Sequence, residues 1–136
     1  MSTILCERLG EIPPGTMLAD CAVSGGTLRS YVETLMALSG GKLCVEIRME
    51  LMEFTLPCRD GEPISPERLE ALKGRYPVHF STALSMAYLT YLEGGALHGV
   101  LFDTAESLKR KFQTARDLGV PWVLAEDPYV YGLLHP

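Results

Sequence analysis

Hydrophobic and polar residues alternate with two different periods along this chain, interrupted by short apolar runs, and each pattern predicts its own element. Thr16-Met-Leu-Ala-Asp-Cys-Ala-Val23 is a largely apolar run that reads as a buried strand, closed by Ser24-Gly-Gly26. Leu28, Tyr31, Val32, Leu35 and Met36 recur at i, i+3, i+4, i+7 and i+8, so they share one helix face, with Thr27 as N-cap and Gly40-Gly41 as the stop. From Lys42 to Phe54 the period changes to two: Val45, Ile47, Met49 and Leu51 alternate with Cys44, Glu46, Arg48, Glu50 and Met52. That pattern predicts a single strand with one buried face and one wet or paired face. Strands inside an intact parallel barrel are buried on both sides, so the alternation places this strand outside one.

The remaining segments follow the same logic. Ile4 to Cys6 can start a short strand, which Glu11-Ile-Pro-Pro-Gly15 ends. Pro57 to Pro63 is rich in turn residues. Ser65 caps a short helix that has Pro66 at its first position, Glu67 in its first turn, Leu69 and Leu72 facing inward, and Gly74 at its end. After Tyr76 to Phe80, two β-rich runs, Met86 to Leu92 and Leu97 to Phe102, flank Gly94-Gly95 and predict a hairpin. Asp103 or Thr104 caps the last long helix, and Glu106 completes a capping box if Asp103 is the cap. Leu108, Phe112, Ala115 and Leu118 form its apolar stripe, Lys109, Arg110 and Lys111 fall outside it, and Gly119 closes it. Val120 to Ala125 is a short buried strand running into Glu126-Asp127. The order predicts an α/β fold in one domain over 1–136: three parallel strands with helices, and an α+β insertion over about 55–103 that carries the hairpin.

Composition narrows the function classes. A chain of 136 residues suits one domain but is too short for a complete (β/α)8 barrel, which needs roughly 200 or more. With 47% hydrophobic and 21% charged residues the chain is not a disordered one. Twelve basic residues against seventeen acidic ones, a net charge of −5, argue against an extended nucleic-acid surface. No apolar run approaches the ~20 residues of a membrane span, and no basic region precedes an apolar run at the N-terminus, so neither membrane partner nor signal peptide is expected. Cys6, Cys21, Cys44 and Cys58 are widely spaced, form no C-x-x-C pair and lie near none of His79, His98 and His135. They read as reduced thiols packed as small hydrophobes in a cytoplasmic protein, with no metal and no cofactor.

Three blocks carry a resemblance. Lys42-Leu-Cys-Val-Glu-Ile-Arg-Met-Glu-Leu-Met-Glu-Phe-Thr-Leu-Pro57, then Tyr88-Leu-Thr-Tyr-Leu-Glu-Gly-Gly-Ala-Leu-His-Gly-Val-Leu-Phe-Asp-Thr-Ala-Glu-Ser-Leu-Lys-Arg-Lys111, then Ala115-Arg-Asp-Leu-Gly119 occur in that order. Together they resemble the C-terminal part of family-18 glycoside hydrolases, the chitinase-like and spore-cortex-lytic (β/α)8 enzymes. The resemblance covers roughly Thr16 to Asp127. It implies barrel strands six, seven and eight, with the family's α+β insertion between strand seven and its helix. The D-x-x-D-x-D-x-E motif that carries the family's acid lies on an earlier strand, and no D-x-D occurs in this sequence. Relative to the family, Glu50 stands in place of Tyr, Phe54 in place of Trp, Ala19-Asp20 in place of Tyr-Asp, and Glu126 in place of the Trp that floors the sugar site. Trp122 lies four residues too early to replace it. The resemblance therefore implies a glycosidase-related domain that has lost the family mechanism.

If the strands run as in the family, Asp20, Glu50 and Glu126 share the carboxyl edge of the sheet, where ligands of parallel sheets bind. They are the candidate carboxylates for a rebuilt hydrolytic pair. Glu50, Phe54, Glu126 and Asp127 are the candidate sugar-binding residues. The competing use of these carboxylates is solvation, pairing with Arg48 or helix capping. His98 has no evident partner for base chemistry. The tyrosines Tyr76, Tyr88, Tyr91, Tyr129 and Tyr131 suit either packing or sugar stacking, and Ser24-Gly-Gly26 lacks a phosphate-loop pattern. Unpaired sheet edges predict self-association as a symmetric dimer. Three functions stay open: a non-catalytic domain for carbohydrate binding or protein interaction, a hydrolase with a rebuilt carboxylate pair, and a remnant that completes a barrel with another chain.

Overall fold

The computed structural model describes residues 2–22, 26–57 and 60–135; the Ser24-Gly25 turn and the Cys58 thiol lie outside the described residues. Among the described residues nine strands form two sheets. Four of them, β1 (Ile4–Cys6), β2 (Met17–Asp20), β3 (Leu43–Glu46) and β9 (Trp122–Leu124), make a parallel sheet in the order β1-β9-β3-β2. The parallel sheet thus has four strands rather than three, because β1 pairs with β9 through Ile4↔Trp122, Leu5↔Val123 and Cys6↔Leu124. Three helices, α1 (Leu28–Leu38), α3 (Ala105–Asp117) and α4 (Pro128–Leu134), cover one face. There Leu43, Val45 and Val123 pack with Leu28 and Val32 of α1, Leu108 and Ala115 of α3, and Val130 and Leu134 of α4.

The single strand expected over Lys42 to Phe54 is two strands. β3 ends at Glu46, residues 47–50 leave the parallel sheet, and β4 (Leu51–Thr55) joins an antiparallel one. The burial alternation breaks with the strand: Ile47 is buried, whereas Met49, two residues on, is 37% exposed. β3 itself is buried on both faces, with Leu43, Cys44 and Val45 all at 0% exposure, contrary to the one-sided burial expected. The physical reason is the connection between β1 and β2. These strands occupy opposite edges, so residues 7–16 must pass from one edge to the other. They do so across the face opposite the helices, where Ile12 packs on Cys6, Cys44 and Leu124. In a closed barrel that face receives side chains from the other strands; here a crossover fills it.

The insertion has its own sheet, in the order β5-β4-β8-β7-β6, with β5 (Glu62–Pro63), β6 (His79–Ser81), β7 (Met86–Glu93) and β8 (Ala96–Phe102). β7 and β8 form the expected hairpin around Gly94-Gly95, whose φ values of 62° and 78° suit residues without a Cβ. Helix α2 (Pro66–Lys73), capped by Ser65 as expected, covers one face with Leu69 and Leu72 against Ala87, Leu89, Tyr91, Val100 and Phe102. Direct cross-strand neighbours share a face. Met52, Leu101, Tyr88 and His79 therefore line the opposite, open face, together with Phe54, Gly99 and Thr90.

Of the two candidate caps for α3, Thr104 is the N-cap, and Ser107 completes its capping box. Lys111, expected on the exposed side, is 1% exposed. Its ammonium lies 2.9 Å from Asp103 Oδ1 and 3.0 Å from Oδ2, and Ser107 Oγ donates to Oδ1 at 2.7 Å. Spacing of i, i+4 and i+8 puts Asp103, Ser107 and Lys111 on one line beside the apolar stripe, where a buried counter-charge makes a buried lysine tolerable.

Candidate functional site

β2 and β3 end side by side at the carboxyl edge of the parallel sheet, with Asp20 opposite Glu46. The chain then turns through Arg48 and Glu50 into β4, which carries the wall of the insertion past this edge. The result is a cleft of about 400 Å³ lined by Asp20, Ala22, Arg48, Glu50, Met52, Phe54, Pro63, Met86 and Leu101. One rim is ionic and the other apolar. Arg48 Nε donates to Glu50 Oε1 at 2.9 Å, and Arg48 stands 3.9 Å from Glu46. The hydrogen bond to Glu50, followed by the charge of Glu50, pushes the Arg48 guanidinium above its ordinary pKa. Asp20 Oδ1 accepts from the Ala22 amide at 3.2 Å, which fixes its orientation at the strand end. Glu50 is held from behind: its amide donates to Asp103 Oδ2 at 3.0 Å, and the Asp103 amide donates to the Glu50 carbonyl at 2.9 Å.

The apolar rim continues onto the open face of the insertion sheet. A shallow groove of about 820 Å³ runs there over Gly99, Thr90 and Tyr88 and shares Phe54 and Leu101 with the cleft. The Phe54 ring is backed by Gly61: a Cβ on that glycine would come within 2.6 Å of the ring. Glycine at 61 thus leaves the ring the room that a side chain there would take.

Of the residues singled out from sequence, the structure brings Asp20, Glu50 and Phe54 together with Arg48. Glu126 stands apart, in a recess with Glu7, Arg8, Pro128 and Tyr131. Asp127 caps α4, accepting from the Tyr129 amide at 2.8 Å and the Val130 amide at 3.3 Å. The Asp-Pro pair at 127–128 is an N-cap followed by a first-turn proline, a signal that predicts this helix. Among the described residues no group of three His, Cys, Asp or Glu side chains is placed to hold a metal ion. Burial pushes the Cys21 and Cys44 thiols up to about 12, so both stay protonated. Among the described residues no helix is long and apolar enough to cross a membrane.

A second polar cluster lies on the α2 side of the insertion. Glu53 accepts from the Tyr91 hydroxyl and from the Arg68 fork, both of whose contacts are 3.3 Å, and Arg68 also donates to Tyr91 at 2.8 Å. The Tyr91 ring is stacked between Tyr76 and His98, with centroids 5.3 and 4.8 Å away. Burial opposes ionisation of Glu53, but the Tyr91 and Arg68 hydrogen bonds outweigh it and hold the carboxyl below its ordinary 4.5. A depressed folded pKa gives a contribution that is present above 4.5 and is lost as pH falls through the folded value. Glu53→Gln is therefore expected to flatten the acid side of the stability profile in urea titrations. The loss at neutral pH should be no more than about 1 kcal/mol, because the pair is partly exposed. An unchanged acid slope would show that Glu53 does not contribute it.

No family model matches the sequence, and no curated protein matches it. Solved structures do match. The spore cortex-lytic enzyme SleL of Bacillus megaterium superposes with a TM-score of 0.59 at 18% identity, over 94% of this chain and 34% of that one. SleL of Bacillus cereus gives 0.55 at 19% identity, over 79% and 27%. A chitinase of Chromobacterium violaceum gives 0.54 at 19% identity, over 84% and 40%. The chain thus spans between 27% and 40% of the length of these structures. At these identities the likeness establishes the fold alone: a parallel α/β piece with an α+β insertion that spans part of these structures.

Proposed function

We propose that this chain is a glycosidase-related domain that binds carbohydrate at the Asp20–Glu50–Phe54 cleft without cleaving it. The observation that carries the reading is the pairing of an ionic rim with an aromatic wall in one cleft. The Asp20 and Glu50 side-chain oxygens are acceptors for sugar hydroxyls, and Arg48 is a donor whose orientation Glu50 already sets. Phe54, with Tyr88 on the adjoining groove, offers apolar ring surface to the C–H face of a pyranose. The glycans to test first are those named for the structural neighbours, chitin oligomers and spore-cortex peptidoglycan fragments. The crossover of residues 7–16 weighs against a partner chain supplying missing strands, since Ile12 already covers the face that such strands would fill. Self-association remains part of the proposal, through the unpaired edge of β2, where Leu18 is 46% exposed.

Asp20 and Glu50 in one cleft also favour a second reading, a hydrolase with a rebuilt carboxylate pair. Calorimetric titration with chitin oligomers and cortex fragments, run beside a reducing-end assay and light scattering, separates the two. The expected outcome is saturable binding by a dimer with no reducing ends released. Phe54→Ala should weaken binding about tenfold or more, the size of one good aromatic contact. Gly61→Ala, which drives the Phe54 ring from its place, should weaken binding in the same direction, and Glu126→Gln should leave it unchanged. Reducing ends that disappear in Glu50→Gln would establish the hydrolase instead. Absence of binding to every glycan would overturn the proposal, and a monomer at high micromolar concentration would remove its self-association part.

A further inference from the structure

Lys111, Asp103 and Ser107 are buried where no ligand reaches them, yet they meet the cleft through one peptide group. Each Asp103 oxygen is occupied: Oδ1 by Ser107 Oγ and Lys111 Nζ, and Oδ2 by Lys111 Nζ and the Glu50 amide. The Asp103 amide returns a bond to the Glu50 carbonyl, so both polar groups of the Glu50 residue are tied to the start of α3. These ties lie where residues 47–50 have left the parallel sheet and have no ladder partner apart from the Ile47 amide, which donates to Leu124. Without the Asp103 carboxylate the Glu50 amide would lose its acceptor, and beyond the two backbone bonds at Ile47 and at the Glu50 carbonyl only the exposed Arg48–Glu50 ion pair would hold the segment; such pairs constrain little.

We infer that the buried Asp103–Lys111 pair is a positioning device for the cleft. Asp103 fixes the Glu50 peptide, and thereby where the Glu50 carboxylate and its Arg48 partner stand. Lys111 pairs with Asp103 and aims its carboxylate, and Ser107 fills the remaining lone pair. Neither Asp103 nor Lys111 lines the cleft, so both act through Glu50. The part of this inference that concerns ligand affinity rests on the carbohydrate reading above; the part that concerns Glu50 does not.

Two neutral double variants separate positioning from mere packing. Asp103→Asn with Lys111→Met removes both charges and keeps an oxygen to accept the Glu50 amide. Asp103→Leu with Lys111→Met removes the charges and the acceptor. Replacing both members of a buried pair is close to neutral for stability, so both variants are expected to unfold cooperatively at similar urea midpoints. The leucine variant is expected to exchange its Glu50 amide about tenfold faster or more than the asparagine variant. It is also expected to bind the chitin oligomer about tenfold more weakly, while the asparagine variant binds like the wild type. Equal Glu50 exchange and equal affinity in the two variants would overturn the inference and leave the pair a packing element. If the wild type binds no oligomer, the carbohydrate reading fails by itself, and Glu50 exchange alone decides the positioning role. Asp103→Ala with Lys111→Leu replaces the leucine variant should leucine not be accommodated at position 103.

Discussion

Lys111→Met alone is expected to lower the unfolding free energy by about 3–5 kcal/mol, among the largest losses from one substitution in this protein. The side chain lost is similar in size, so packing changes little; the cost comes from its partner. Asp103, 4% exposed, would keep a carboxylate with no counter-charge in the interior, near enough to the buried Cys21 thiol to act on it by charge. Such a group must either remain charged without solvation or take up a proton, and both outcomes disfavour the folded state. Chemical denaturation should show the midpoint falling with little change in slope, and adding Asp103→Asn should recover most of the loss. A single variant within about 0.5 kcal/mol of wild type would mean that water reaches the pair and that its burial is not real in solution.

The second large effect concerns Phe102, the bulkiest of the fully buried side chains. Its ring lies under α2 with Leu69, Leu72, Leu89 and Val100, and Lys73 Nζ stands 5.7 Å from the ring centre. Phe102→Ala removes that ring from a small core, and the expected loss is about 3–5 kcal/mol because flanking strands cannot collapse into the space. The two sheets have separate cores, so the loss should be local first. Amide exchange is expected to rise across β7, β8 and α2 well before it rises in β3 and β9. Uniform acceleration across both sheets would show instead that they unfold as one unit.

Much of the fold was legible because local physics and the tertiary outcome agree. The α1 stripe, the Ser65 cap with Pro66, and the Gly94-Gly95 hairpin each announce themselves within a dozen residues, and each forms as read. The misreadings share one cause. An alternation of period two is kept whether or not an extended chain stays in one sheet, so Lys42 to Phe54 concealed a change of sheet at residues 47–50. Cys44 likewise looks the same under a crossover as on an open face. Lys111 looks solvent-bound in any pattern that counts charge as exposure, since its neutralising partner lies eight residues away. At the site, Asp20, Glu50 and Phe54 were found because strand ends converge on one edge of a parallel sheet. Arg48 was noticed only as a possible salt-bridge partner, and Glu126 follows the carboxyl end of β9 as read but lines a separate recess with Glu7 and Arg8.

The sequence by itself determined most of the strands and helices and their caps, and that Asp20 closes a strand, since these depend on periodicity and local capping. Only the tertiary structure decided that residues 7–16 cross and cover the strands' second face, that Glu126 stands away from the cleft, and that a buried lysine stands behind Glu50. Those outcomes depend on which residues, distant in sequence, exclude water from one another, and a linear pattern does not carry that information.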